Sequence, residues 1–156
     1  MSRRRSRSAP PRHAPILEIC HEFGFDAAHR FPSAPRGHRY RGVHGHSFRV
    51  EIALRGVPRP PSGFVSDFAR LEQACVKLRA RLDHALLNEI AGLRLPSLEN
   101  LCLWIWDRLA PQFRGLTRVT VRRDSLGQSC TYLGPAPAST RAPSPSASRG
   151  TRARSG

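Results

Sequence analysis

His44 and His46 are separated by a single glycine in the stretch GHRYRGVHGHSF, residues 37–48. In an extended chain, residues i and i+2 project from the same face. The two imidazoles can therefore approach one metal ion, while Gly45 leaves room on the opposite face. Two ligands seldom suffice, so a third must come from elsewhere. His29, which ends FDAAHRF (25–31), is the natural candidate if the two segments pair as a hairpin across the intervening loop. Three imidazoles suit Zn²⁺ at neutral pH and leave a fourth position open, the pattern of a catalytic rather than a structural zinc. Such a metal polarises a bound hydroxyl or carbonyl and eases removal of a nearby proton. Taken alone, a His-x-His pair is a weak signal, and His29 alone reads as a surface histidine.

A second constellation is Asp83–His84 in LDHALLN, residues 82–88. One reading is a cation at a helix C-terminus beside a capping acid. The other is a dyad in which the carboxylate orients the imidazole and raises its basicity, so that it moves protons near pH 7.

These residues must be positioned by regular elements. Residues 16–28 alternate, with Glu18 and Cys20 against Leu17 and Ile19, then Phe23 and Phe25, which reads as a strand. A Pro/Gly/Arg-rich loop follows at roughly 31–42. Residues 43–57 alternate again, with Phe48, Val50, Ile52 and Leu54 on one side and Arg49, Glu51 and Arg55 on the other. This second strand begins within the histidine pair. PRPPSG (58–63) is a turn. From 67 to 82 the period becomes helical, with Phe68, Leu71, Cys75, Leu78 and Leu82 on one stripe and Asp67 as N-cap. Ser97 caps a second helix to about residue 110, with Leu98, Leu101, Cys102, Ile105 and Leu109 as its stripe and Pro111 as its stop. LTRVTVRRD and QSCTYLG read as two short strands with a turn at Leu126–Gly127. The order is β-β-α-α-β-β, an α+β domain.

The ends differ from this body. Residues 1–15 hold five arginines and no acid, and residues 136–156 hold four more, again without an acid. Nine of the fifteen net positive charges thus sit in two tails, which bury too little apolar surface to offset their ordering entropy and are expected to be disordered. They are solvated arms or weak polyanion contacts made through counterion release; no aromatic residue among the arginines offers a base a stacking platform. The domain is placed at 16–135. The N-terminus has no apolar stretch of signal-peptide type, and no membrane span is expected. Four widely spaced cysteines without a Cys-x-x-Cys pair (Cys20, Cys75, Cys102, Cys130) read as reduced thiols in a cytoplasmic protein.

FDAAHRF, GHxxxxxHGHSF, GFVSDFARL (63–71), LDHALLN, PSLEN (96–100), WIWDRL (104–109) and CTYLG (130–134) resemble, in order and spacing, the 6-pyruvoyl-tetrahydropterin synthase and 6-carboxy-tetrahydropterin synthase family. The resemblance covers about residues 16–135 and is closer to the bacterial carboxy branch. It implies a T-fold: a four-stranded antiparallel sheet with two helices on one face, assembled into a ring, commonly a homohexamer of two trimers. It implies zinc on His29, His44 and His46, and 7,8-dihydroneopterin triphosphate as substrate. The zinc ligates side-chain hydroxyls and acidifies the adjacent C–H, and triphosphate is lost. In the carboxy branch acetaldehyde is also released, giving 6-carboxy-5,6,7,8-tetrahydropterin for 7-deazapurine (queuosine) synthesis. Asp83 and His84 match the family's proton-relay pair. Asp124 matches the carboxylate that anchors the pterin's amino-pyrimidine edge, where a glutamate is typical and one methylene longer. Glu99 is a further pocket candidate. The family's general base, a cysteine four residues before the first histidine of His-x-His, is replaced here by Tyr40. A phenol with reference pKa near 10 is a poorer base at pH 7 than a thiol near 8.5, a handicap of about 2 kcal/mol. Tyr40, His38 or His84 is then expected in the cysteine's role. The alternatives are a pterin-modifying paralogue, such as one forming the pyruvoyl product or performing aldol cleavage of unphosphorylated dihydroneopterin, and a non-catalytic metal- or polyanion-binding oligomer.

Overall fold

The computed structural model describes residues 14–136. The two arginine-rich arms lie almost entirely outside the described residues. Two long strands, β1 (Leu17–His29) and β2 (His44–Gly56), pair antiparallel over their whole length, from Leu17 opposite Gly56 to His29 opposite His44. β3 (Leu116–Arg123) and β4 (Gln128–Tyr132) extend the sheet in the order β1-β2-β3-β4. α1 (Phe68–Leu82) lies against β1, and α2 (Leu98–Leu109) against β3 and β4. This is the four-stranded antiparallel sheet with two helices that defines the T-fold.

Alternation decides which residues meet. Phe25 of β1 stands opposite Phe48 of β2, and their rings stack 4.9 Å apart beneath the helices. Val50, Ile52, Leu54, Val119 and Val121 continue that buried layer. The helical stripes meet it through Leu71, Cys75, Leu78 and Leu82 of α1 and Leu98, Leu101, Cys102, Ile105 and Leu109 of α2. Phe68 departs from the expected stripe: as the first residue of α1 it overhangs the core and is 50% exposed. Both expected caps form. Asp67 accepts from the Ala69 amide at 2.9 Å, and the Ser97 hydroxyl oxygen accepts from the Asn100 amide. Each satisfies an amide that a helix start would leave without a partner.

The other sheet face carries charge instead of apolar side chains. Glu18 pairs with Arg55 and Arg118, and Glu51 with Arg118 and Arg122. Burial opposes ionisation of Glu51, but the hydrogen bond and charge of Arg118 prevail and hold its carboxyl below the usual range. Among the described residues no helix is long and apolar enough to cross a membrane.

Candidate active site

The β1–β2 register gathers the three histidines. His29 and His44 are direct cross-strand partners, and His46 lies two residues further along the same face. Ring centroids are 4.5 Å apart for His29–His44, 5.1 Å for His29–His46 and 5.0 Å for His44–His46. One potential ligand atom from each lies within 4.8 Å of the others. Backbone carbonyls fix two of the rings: His29 Nδ1 donates to Pro96 O and His44 Nδ1 to Gly42 O, each at 2.9 Å. That leaves Nε2 of both rings as the lone-pair nitrogen, and both are buried without a hydrogen-bond partner. Buried polar atoms rarely stay unpaired, and an imidazole held by its other nitrogen is the usual form of a metal ligand. Burial, aided by the neighbouring cationic forms, pushes His29 down to about 4 and also lowers His46, whose next cause is Arg123. Both are therefore neutral at pH 7, as metal ligation requires. The cluster fits a divalent ion of the zinc type.

The Asp83–His84 pair reaches the same region along the open edge of β1. The segment after α1 docks there: His84 N donates to Asp26 O, Ala28 N to Ala85 O, and Asp26 N to the Asp83 carboxylate at 2.9 Å. That amide holds the Asp83 carboxyl below its usual range. Asp83 Oδ1 lies 3.2 Å from His84 Nδ1. His84 has φ of 57°, left-handed backbone that a non-glycine residue seldom adopts. The segment's pairing to β1 holds it there and leaves the imidazole exposed. His84 and His46 line one cleft of about 540 Å³, with Ala27, Gly45, Ser47 and Leu86.

Tyr40 closes the other side. Its ring stacks on His44 at 5.4 Å, and its hydroxyl accepts a hydrogen bond from Arg39. Tyr40, His38, Glu99 and Arg123 line a smaller pocket of about 260 Å³. Glu99 sits in the first turn of α2, where the Ser97 hydroxyl and its own amide lower its carboxyl pKa. Sequence reading missed Arg123, whose Nη1 lies 3.3 Å from His46 Nε2. Its signal was parity: Val119 and Val121 face inward, so Arg123 does too.

Asp124, one residue on, takes the opposite face. Its carboxylate accepts from Arg49 Nε at 2.7 Å and lines a separate cleft of about 530 Å³. Within one chain it is not brought to the histidines. The two clefts adjoin, however, since Asp26 and Ser47 line both. No cysteine is among the residues that line the Tyr40 pocket. Burial pushes the Cys75 and Cys102 thiols up to about 12, which keeps both from acting as thiolates.

A T-fold chain with three convergent imidazoles and an acid–imidazole pair at their rim defines a recognisable class. The family model described as 6-pyruvoyl tetrahydropterin synthase matches residues 18–135, and the chain belongs to that family. An Archaeoglobus fulgidus protein provisionally named 6-carboxy-5,6,7,8-tetrahydropterin synthase is 40% identical over 98 residues, 62% of this chain and 79% of the relative. A dihydroneopterin monophosphate aldolase from Pyrococcus furiosus is 33% identical over 108 residues, 69% of this chain and 86% of the relative. Among solved structures, the Caenorhabditis elegans 6-pyruvoyl tetrahydropterin synthase superposes with a TM-score of 0.71 at 23% identity, over 78% of this chain and 98% of that one. The Plasmodium vivax 6-pyruvoyl tetrahydropterin synthase, 25% identical, superposes at 0.58 over 76% and 97%. Alanine and cysteine variants of a glutamate described as catalytic have been solved for that enzyme.

Proposed function

We propose that this chain is a zinc-dependent lyase of the 6-carboxytetrahydropterin synthase type. It would convert 7,8-dihydroneopterin triphosphate into 6-carboxy-5,6,7,8-tetrahydropterin with release of acetaldehyde and triphosphate, feeding queuosine synthesis in the cytoplasm. The observation that carries this reading is the shared cleft, where His46 of the histidine cluster and His84 of the acid–imidazole pair face one opening. His29, His44 and His46 would hold the ion. When bound, it supplies Lewis acidity toward the hydroxyls of the substrate's side chain. His84 accepts and returns protons from its exposed position at the rim. Asp83, kept ionised by the Asp26 amide, orients that imidazole and stabilises its cationic form. Tyr40 takes the cysteine's role, since a hydrogen bond from Arg39 strengthens when the phenol oxygen becomes anionic. Asp124 anchors the amino-pyrimidine edge across the adjoining cleft, exchanging Arg49 for the pterin. Glu99 lines the pocket beside Tyr40. A homohexamer is the expected assembly, measured by light scattering of the purified chain.

The test is turnover of dihydroneopterin triphosphate by zinc-loaded protein, read by product analysis against zinc-stripped protein and His44→Ala. Product equal in all three would overturn the reading. A second reading is favoured by the aldolase relative, which aligns over more of this chain than the carboxy-synthase relative does. Retro-aldol cleavage of a dihydroneopterin phosphate would leave a 6-hydroxymethyl pterin and glycolaldehyde phosphate, which the same product analysis separates from acetaldehyde and triphosphate.

A further inference from the structure

Arg123 stands at the histidine cluster with an unusual set of contacts. Its Nη1 is 3.3 Å from His46 Nε2. A guanidinium only donates hydrogen bonds, so it uses the lone pair of that nitrogen. Its Nε is buried without a partner. The carboxylate sharing its pocket is Glu99, and Glu99 is already bonded to Ser97. Arg39 adds a second cation on the Tyr40 side. On the Tyr40 side of the three imidazoles two cations therefore stand against one carboxylate before any divalent ion arrives, while Asp26 and Asp83 lie on the His84 side.

We propose that Arg123 occupies the metal's place at His46 and makes metal binding by the cluster depend on a phosphate-bearing anion. A nitrogen lone pair serves one partner at a time, so the guanidinium must leave His46 Nε2 before that nitrogen takes an ion. The displaced guanidinium lies beside the ion, where like charges a few ångströms apart repel strongly in a partly buried site. A phosphate group accepting from Arg123 relieves that repulsion and gives the guanidinium the bidentate partner its geometry suits. Metal and anion then bind with positive coupling, each raising the other's affinity by the same factor. Arg123 becomes the residue that reserves the metal-loaded state for a phosphorylated ligand. The inference rests on the metal site proposed above and deepens it.

The experiment measures Zn²⁺ affinity of the full-length chain at pH 7 by chelator competition, with free zinc buffered throughout. Wild type, Arg123→Gln and Arg123→Met are compared with no anion, with inorganic phosphate and with inorganic triphosphate. Without anion, both variants bind zinc at least about tenfold more tightly than wild type. Triphosphate tightens wild type at least about fivefold by the coupling above and leaves the variants unchanged. A matching response to inorganic phosphate identifies the single phosphate group as the ligand; a response to triphosphate alone identifies the longer chain. The inference is overturned by variants that bind zinc no better than wild type, or by an anion effect that survives loss of Arg123. Turnover plays no part in the readout, so a lyase that fails on dihydroneopterin triphosphate leaves this test intact. Should Arg123→Gln not fold, Arg123→Met carries the same comparison.

Discussion

The histidine cluster and the Tyr40 pocket share His44 as a neighbour, yet they are built by different means. The cluster is a consequence of strand register: His29 opposite His44, with His46 two residues on, puts three rings on one face. Carbonyls of Pro96 and Gly42 then set two of those rings. The Tyr40 pocket is assembled from a loop, the start of α2 and the end of β3; the Tyr40 backbone is tied to Phe31 and His38, but its polar side-chain groups meet other side chains, Tyr40 with Arg39 and Arg123 with His46. Backbone register admits little variation, because a slip of one residue would turn every side chain to the other face. Side-chain contacts can be re-formed with other partners. The histidine cluster is thus the fixed part of the proposed site, and the Tyr40 pocket, proposed to supply the base, is its adaptable part.

The largest expected effect breaks the fixed half. His44→Ala removes one of the three proposed ligands and should lower zinc affinity at least about a hundredfold, beyond what loss of an outer partner does, and abolish turnover. Retained zinc and turnover would show that the ion is held elsewhere. The adaptable half should respond differently. Tyr40→Phe keeps the ring on His44 but removes the hydroxyl, and kcat should fall about a hundredfold, the lower range for loss of a proton-transfer group, with zinc content unchanged. Tyr40→Cys should restore or exceed wild-type kcat. If both substitutions leave kcat alone, Tyr40 is not the base, and His38 or His84 becomes the residue to change.

The buried histidine also sets a pH dependence in the metal-free protein. Above pH ~6.5 His29 is neutral in both the folded and the unfolded chain and contributes no pH dependence. As pH falls from 6.5 toward 4, the unfolded chain binds a proton that the folded chain, with its pKa lowered to about 4, does not. Stability therefore declines across that window, by about 3 kcal/mol in all. His46, shifted in the same direction, adds to the loss. Urea unfolding at pH 7 and pH 4.5 measures it. A His29→Asn variant should show a shallower decline, and an unchanged slope would remove His29 as the cause.

What could be read in advance follows the same division. The His-x-His pair, the Asp67 and Ser97 caps and the alternation of β2 are local patterns, and each appears where its period puts it. Phe68 was misplaced because a stripe fixes a helix face but not where the core ends beneath it. The docking of residues 83–86 on the β1 edge joins segments more than fifty residues apart in sequence, and no local pattern encodes it. Arg123 and Asp124 illustrate the reach of parity. Adjacent in sequence, they fall on opposite faces of the sheet, one at the histidines and one at Arg49. A motif match that selects the acid of this pair does not register that its neighbour is the one facing inward.

The smallest predicted effect separates stability from site support. Asp67 and Ser97 both cap helices by accepting from a backbone amide, so each change to alanine should reduce stability by about 1 kcal/mol. Only Ser97 adjoins Pro96, whose carbonyl holds His29 Nδ1. Loosening the start of α2 should let that carbonyl drift and weaken the orientation of His29. Ser97→Ala is therefore expected to lower zinc affinity a few-fold, less than the ~10–100-fold that follows outright loss of an outer partner of a metal ligand, because the Pro96 carbonyl is loosened and not removed, while Asp67→Ala leaves it unchanged. Chelator competition on two variants of matched stability reads the difference directly. Equal zinc affinities would mean that strand register alone positions His29, and that the α2 start contributes only to the fold.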